Sequence, residues 1–404
     1  MIYRELLTKE LIAKRGEFLS FTEQQSGEFA GYLKILETLE EFSSAEIRER
    51  VLRNESSAAI PSHEFDRAKN FILEFSERWE NHEQARKWAF EKLNDRTTFA
   101  ADASQLLPGR DISLPVAAIQ VGWYENPHDP AIDYEINADF RILSPIDLLE
   151  DQEEQTNLES RVSELRFHAE ADRTLKFLRK KRGWQKRGER MPLAFYDNTL
   201  LVSYPQRQSK LQKSFVEKML EVVRVSQETQ VPVVGYIDQS YARDVLHLIQ
   251  VFDDEGSRGR LTTFDTSLLR AKISEKFELL KKWGDRSVFF YSNRKPLAGF
   301  WEEFAENPLV GFVYLQTTAD GPPARLDIPS WIFETNHLEE VLDIVRAECV
   351  IGLGYPYAIE TADATAVISI RDREIFLGAL QEFANREKLN FSVSRKSTSK
   401  ARRR

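Results

Sequence analysis

The chain has 404 residues, 42% of them hydrophobic and 30% charged, with a formal net charge of −9. That length suggests roughly two to three domains with a sizeable core, and no apolar run approaches the ~20 residues needed to span a bilayer. The single cysteine, Cys349, excludes an intrachain disulfide framework and a cysteine-based zinc site, and it fits a reducing interior, so the cytoplasm is the expected compartment.

Residues 1–93 read as a helical N-terminal region. "MIYRELLTKELIAKRGEF" lacks the continuous apolar segment of a signal peptide. "GEFAGYLKILETLEEF" and "ERWENHEQARKWAFEKL" carry apolar residues at three- and four-residue spacings, the pattern of amphipathic helices. From about residue 96 the texture changes. "RTTFAAD", "LPVAAIQVGWY" and "EINADFRIL" are strand-like runs separated by turn-forming stretches. A long helical stretch from Pro145 to Arg182 follows, then the short strand "MPLAFYD", "LVSYP", a helix over "KLQKSFVEKMLEVVRVSQET", and the strand "VPVVGYID". After an insertion at about 253–284 come the strands "RSVFFYS" and "PLVGFVYLQT", and two C-terminal helices close the domain at about residue 390. Residues 391–404 read as a basic tail, disordered or holding nucleic acid. Three strands close enough to pair as an antiparallel meander, then strands joined through helices, predict an α/β fold. Its centre is an RNase H-like mixed β-sheet flanked by helices.

Acids mark the ends of three of these strands: Asp102, Asp197 and Asp238. Glu170 lies on the first long helix and Asp363 near the start of a late one. Each has an ordinary alternative. Asp102 and Asp197 can start turns, and Glu170 can pair on the surface with Arg166 one helical turn earlier. Gathered at the ends of adjacent strands, such carboxylates repel one another unless a cation neutralises them. Hard divalent cations suit that donor set, and a pair of them can activate water and stabilise a leaving phosphodiester oxygen.

The basic run "RTLKFLRKKRGWQKRGER" follows Glu170. Lys180, Lys181, Arg182, Lys186, Arg187 and Arg190 are dense enough to track a DNA backbone, and Trp184 can stack on an exposed base. A solvated helix end with Trp184 packed beneath it is the alternative. Linking the Glu170 helix to the Asp197 strand, the run is expected within reach of the acids. The six histidines show no metal-ligand spacing; His168, near Glu170, reads as structural. No GxxxxGK[ST] segment exists, so any energy for processive action has to come from a partner.

From about Thr97 to Glu387 the chain resembles the NurA nuclease family, an RNase H-like group that acts on DNA ends. The pieces that carry the likeness are "AADASQ", "RFHAE", "FYDNTL", "VPVVGYIDQS" and "GLGYPYAIETADATAVI". The resemblance implies metal-binding roles for Asp102, Glu170 and Asp197, and catalytic roles for Tyr355 and for Asp363 eight residues later. Asp238 and Ser104 would support these ligands from behind. It implies Mn2+ or Mg2+ as cofactor, DNA as substrate, and a role in end resection and double-strand-break repair. A homodimer and a hexameric HerA-type translocase would be the working partners. The chain departs from the family where Ala103 and Asn198 replace glycines, where Asp363 replaces a frequent histidine, and where Asp238 replaces a frequent lysine. Ala103, Asp238 and Asp363 favour the alternative of a DNA-binding adaptor or translocase adaptor that keeps the fold without cleavage. A nuclease of the same fold acting on RNA or branched DNA is a third reading.

Overall fold

The computed structural model describes residues 3–54, 56–68, 71–109, 112–149, 157–202, 210–253, 263–270, 279–294 and 306–392. The chain divides into two compact units. Residues 79–236 and 331–404 form one; residues 1–78 and 237–330 form the other. This division differs from the expected helical N-terminus followed by one continuous domain. Chain leaves the first unit at the end of a strand, builds most of the second, and returns for the last helices.

The first unit, the core, has five strands: β1 (Thr98–Leu106), β2 (Ala117–Asn126), β3 (Glu135–Leu143), β4 (Leu193–Tyr196) and β5 (Val233–Ile237). Their order is β3-β2-β1-β4-β5. The first three pair antiparallel, and β1–β4 and β4–β5 pair parallel. This is the mixed, RNase H-like sheet that the spacing of strands and helices predicts. Central strands β1, β2 and β4 are mostly buried, as their Ala, Val, Phe and Trp content requires, while β3 is exposed except at Leu143.

Among the described residues the longer helices of this unit are α1 (His82–Leu93), α2 (Leu158–Lys180), α3 (Lys210–Thr229), α4 (Leu338–Ile351), α5 (Tyr357–Ala366) and α6 (Ile370–Arg386). Their starts follow capping chemistry. Asn81, Asn157 and Ser369 each accept a hydrogen bond from a backbone amide of the first turn, satisfying donors that a helix leaves unpaired. The expected stretch from Pro145 to Arg182 resolves into a short helix, Pro145–Leu149, and α2. Three helices, not two, end the chain.

Side-chain alternation sorts the two faces of the sheet. Phe99 of β1 stacks on Phe177 of α2 with ring centroids 4.4 Å apart, and Arg173 of α2 lies over the Trp123 ring of β2. On the opposite face Tyr124 meets Tyr357 of α5, and the Gln120 side chain donates to the carbonyls of Thr365 and Ala366. Gly122 lies on that face too. A Cβ there would stand 2.5 Å from the backbone nitrogen of Ala366, so only glycine lets α5 dock this closely.

The second unit begins with helices Arg4–Ala13, Arg15–Leu39 and Ser44–Arg53. Its sheet contains Ile60–Pro61, Phe290–Tyr291, Val310–Leu315 and Ala324–Pro329, neighbours in that order; Ile72–Leu73 pairs with Arg286–Ser287, which pairs in turn with Val310–Leu315. The expected strands "RSVFFYS" and "PLVGFVYLQT" form within this unit. Strand Ala324–Pro329 escapes the sequence reading because "ARLDIP" places an arginine and an aspartate inside it. Both are buried: Arg325 bonds Asp327 at 2.8 Å and Asp244 at 2.6 Å, and Arg294 forks onto Asp244 at 2.8 and 2.7 Å. Residues 254–262 and 271–278 of the expected insertion, and 393–404 of the basic tail, lie outside the described residues. Among the described residues no helix is long and apolar enough to cross a membrane.

Candidate functional site

The parallel pair β1–β4 sets the site. Its register aligns Ala101 with Tyr196, so the next residues along the two strands are Asp102 and Asp197. Parallel neighbours run about 4.8 Å apart, which brings two acids remote in sequence side by side. Asp102 does not end its strand, as the sequence suggests. β1 continues to Leu106 against β2, whereas β4 stops at Tyr196. Asp102 thus sits where β1 loses its parallel neighbour, beside the turn that holds Asp197. Ala103 lies in regular strand opposite Val121, and neither it nor Asn198 takes a positive φ, so neither position demands a glycine. Gly235 of β5 accommodates that turn, since a Cβ there would meet the Asn198 carbonyl oxygen at 2.6 Å.

Asp102 pairs directly across the sheet with Gly122, on the face that α5 covers. The close docking of α5 brings Asp363 within electrostatic reach of Asp102. Just ahead of α5, the Tyr355 hydroxyl donates to Asp197 Oδ1 at 2.6 Å, a charge-assisted bond that fixes the carboxylate. The Tyr355 ring is held edge-on against Tyr236 of β5 at 5.1 Å. Asp102, Asp197, Tyr355 and Asp363 are therefore gathered on one side of the sheet. Asp363 lies in the second half of α5 rather than near its start.

Glu170 enters from α2, on the other face. It is buried, 4% exposed, which overturns the surface-pair alternative for this residue. The Tyr196 hydroxyl bonds to it, and Arg166 Nη1 stands 3.5 Å from its Oε2 while donating to the Ala103 carbonyl at 2.8 Å. Burial pushes the Glu170 carboxyl up to about 8; Arg166 opposes the rise, and Asp102 and Asp197 add to it. Burial also pushes Asp102 up, against the pull of the Ala103 amide. Asp363 and Asp197 reinforce that rise and Arg166 resists it. Asp102 thus feels Asp197 and Asp363, and Glu170 feels Asp102 and Asp197, and the set offers oxygen donors only. Among the described residues no three His, Cys, Asp or Glu side chains lie close enough to hold a metal ion as placed. Glu170 approaches the strand ends from the layer opposite to Asp102.

Of the remaining sequence candidates, Ser104 lies two residues on from Asp102 on β1, partly exposed, and Asp238 follows β5 directly with its carboxyl pushed up by burial. His168 bonds Ser214 of α3 at 2.9 Å through its ring Nε2. Arg166 was visible in the sequence only as a helix-surface partner; its reach to the Ala103 carbonyl depends on the strand–helix packing.

The basic run lies elsewhere than expected. Ten residues separate Glu170 from Lys180, about 15 Å along a helix. Lys180 and Lys181 pair with Glu125 at 2.8 and 3.4 Å, and Lys181 also donates to Thr97, just before β1. The run therefore sits at the starts of β1 and β4, while the acids sit further along the strands. Trp184 is buried, with its indole N–H on the Gln230 carbonyl, so its ring is not presented for stacking. Arg182 faces Glu228 at 3.9 Å, Arg187 forks onto Glu189, and Arg190 donates to the carbonyls of Glu91 and Asn94. Lys186 is exposed.

A family profile described as the NurA domain matches residues 96–368. Among solved structures, a NurA with manganese aligns over 93% of this chain and 98% of its own, at 9% identity and a TM-score of 0.43. A NurA bound to dAMP and manganese aligns over 72% and 88%, at 11% identity and a TM-score of 0.36. The catalytic domain of human endonuclease V aligns over 74% and 96%, at 14% identity and a TM-score of 0.30. No curated protein matches the sequence.

Proposed function

Because the chain belongs to the NurA family, we propose that it is a metal-dependent DNA nuclease. It would serve end resection and double-strand-break repair as a 5′–3′ exonuclease, a single-strand endonuclease, or both. The observation that carries this reading is the alignment of Asp102 with Asp197 where β1 outruns β4, with Asp363 brought to the same face by α5. An all-oxygen donor set fits a hard divalent cation, Mn2+ or Mg2+, better than zinc.

Asp102, Asp197 and Asp363 would hold the ion, with Glu170 completing the set from the α2 side. Bound there, the ion would supply activated water and charge stabilisation at the leaving oxygen of a phosphodiester. Tyr355 keeps Asp197 in one orientation through its 2.6 Å bond. Tyr196 and Arg166 hold Glu170. Ser104 and Asp238 would act behind these ligands. Of the basic run, Lys180, Lys181, Arg182, Lys186 and Arg187 would offer DNA a phosphate-tracking surface at a distance from the cut, with strong salt dependence and little sequence preference. Family membership also supports a homodimer and a hexameric HerA-type translocase as partner. The absence of a phosphate-binding GxxxxGK[ST] loop from the sequence accords with an external motor.

A second reading, a DNA-binding adaptor without cleavage, draws on one observation: no ligand triad is assembled among the described residues. Incubating the protein with labelled single- and double-stranded DNA and RNA, with manganese or with EDTA, separates the readings. Manganese-dependent cleavage that disappears in Asp102→Asn and Asp197→Asn supports the nuclease. Cleavage that survives both substitutions rejects the site, and binding without cleavage under every metal supports the adaptor.

A further inference from the structure

The Arg166 guanidinium brings positive charge to Asp102 and Glu170. It is anchored at one end, donating to the Ala103 carbonyl at 2.8 Å, next to Asp102 in the chain. At the same nitrogen it faces Glu170 Oε2 at 3.5 Å. One residue thereby ties α2 to β1 and points positive charge at the carboxylate that would complete the ligand set. Its side chain is 33% exposed, so it is neither sealed in the core nor free on the surface. A plain helix-surface pair would not require the strand carbonyl. That second contact fixes the fork in the gap between the Asp102 strand and the Glu170 helix.

We infer that Arg166 is a positioning residue that competes with a divalent cation for the Glu170 carboxylate and so sets the metal affinity of the site. The inference rests on the metal-dependent reading proposed above. Two consequences follow from charge. A fixed positive group beside the ligands repels an incoming dication, so its removal tightens binding. The same group offsets carboxylate repulsion, so its removal destabilises the protein when divalent ions are chelated. Lysine at this position keeps the charge without the planar fork.

The test is manganese binding by the full chain, read from the loss of the free-ion paramagnetic resonance signal on titration. Thermal unfolding in EDTA and in manganese accompanies it. The inference expects Arg166→Gln to bind manganese about tenfold tighter than the wild type or more, to unfold at lower temperature in EDTA, and to recover that loss in manganese. Arg166→Lys should bind within about threefold of the wild type. Arg166→Gln affinity equal to or weaker than the wild type overturns the inference, weaker binding meaning that the guanidinium organises the ligands instead. Asp102→Asn separates the two levels. If it binds manganese as the wild type does, the ion sits elsewhere and the nuclease site falls together with the inference. If it loses binding while Arg166→Gln is unchanged, the inference falls alone. Should Arg166→Gln fail to fold, an Arg166→Lys variant with tenfold altered affinity is enough to overturn it.

Discussion

Each of the two units gathers a group of acids, fully buried in one and only in part in the other. In the unit of residues 1–78 and 237–330, Asp244 and Asp327 meet Arg294 and Arg325 at 2.6–2.8 Å. Asp265 completes the group by accepting from the Val245 and Leu246 amides and the Tyr314 hydroxyl. Burial works to raise the Asp244 carboxyl, and Arg325 and Arg294 overcome it, holding the group well below the usual carboxylate range. In the core, Arg166 acts on Asp102 and Glu170, yet burial raises both carboxyls. Arginines hold a carboxylate down where they bond it directly, as at Asp244; Asp265 beside them is pushed up to about 7 by burial and by Asp244, as Glu170 is pushed up by burial in the core.

The largest effect should come from unbalancing the paired group. Asp244→Ala takes the carboxylate from Arg294 and leaves Arg325 with Asp327 alone, and should cost about 3–5 kcal/mol in urea unfolding. A loss below about 1 kcal/mol would mean that the arginines relax to water, and the contrast between the clusters would dissolve.

The next effect is the pH response of the core measured in EDTA. Glu170 has a folded-state value of about 8 against an ordinary 4.5. The folded chain therefore holds a proton that the unfolded chain releases, and stability falls as pH rises from about 4.5 to about 8, then levels off. The full shift corresponds to at most about 5 kcal/mol. Glu170→Gln should flatten this window, and added manganese should counter the fall by favouring the ionised carboxylate. A wild-type profile without slope between those limits contradicts the burial described for Glu170.

Smaller still, Gly122→Ala should destabilise the core by about 1–3 kcal/mol, because its methyl group meets the backbone of α5. Manganese affinity should drop with it if docking of α5 places Asp363. Tyr355→Phe removes one hydrogen bond to a carboxylate and should cost about 1–2 kcal/mol of stability. A much larger loss of cleavage than of stability would assign Tyr355 to the reaction. The smallest effect has the opposite sign. Asp102→Asn should stabilise the protein slightly in EDTA, chiefly by removing a charge that burial disfavours, while abolishing manganese binding.

The strands of the core and their mixed pairing were readable from the alternation in "TFAADASQ" and "LPVAAIQVGWY" and from helix-length gaps between later strands. Asp102 and Asp197 were readable as neighbours because strand ends in such a sheet converge. The burial of Glu170 was not, since an Arg four residues earlier looks the same on a surface helix as on one packed against a strand. The position of the basic run failed for a related reason. A segment linking two site elements must join the end of one to the beginning of the other, and the acids lie at neither of those points. Strand Ala324–Pro329 was hidden because Arg325 bonds Asp327 within the strand and Asp244, remote in sequence, a pairing that no local pattern encodes.

The interleaving of the two units along the chain constrains how the protein is made. Residues 1–78 emerge first from the ribosome but wait for 237–330 to complete their unit, while the core lacks α4 and α5 until residue 366 has appeared. Neither unit can fold to completion on its own during synthesis, and long-range closure of this kind is slow. Truncating the chain after residue 236 should accordingly yield an aggregation-prone fragment, with its freshly made sheet uncovered on the side where α5 belongs.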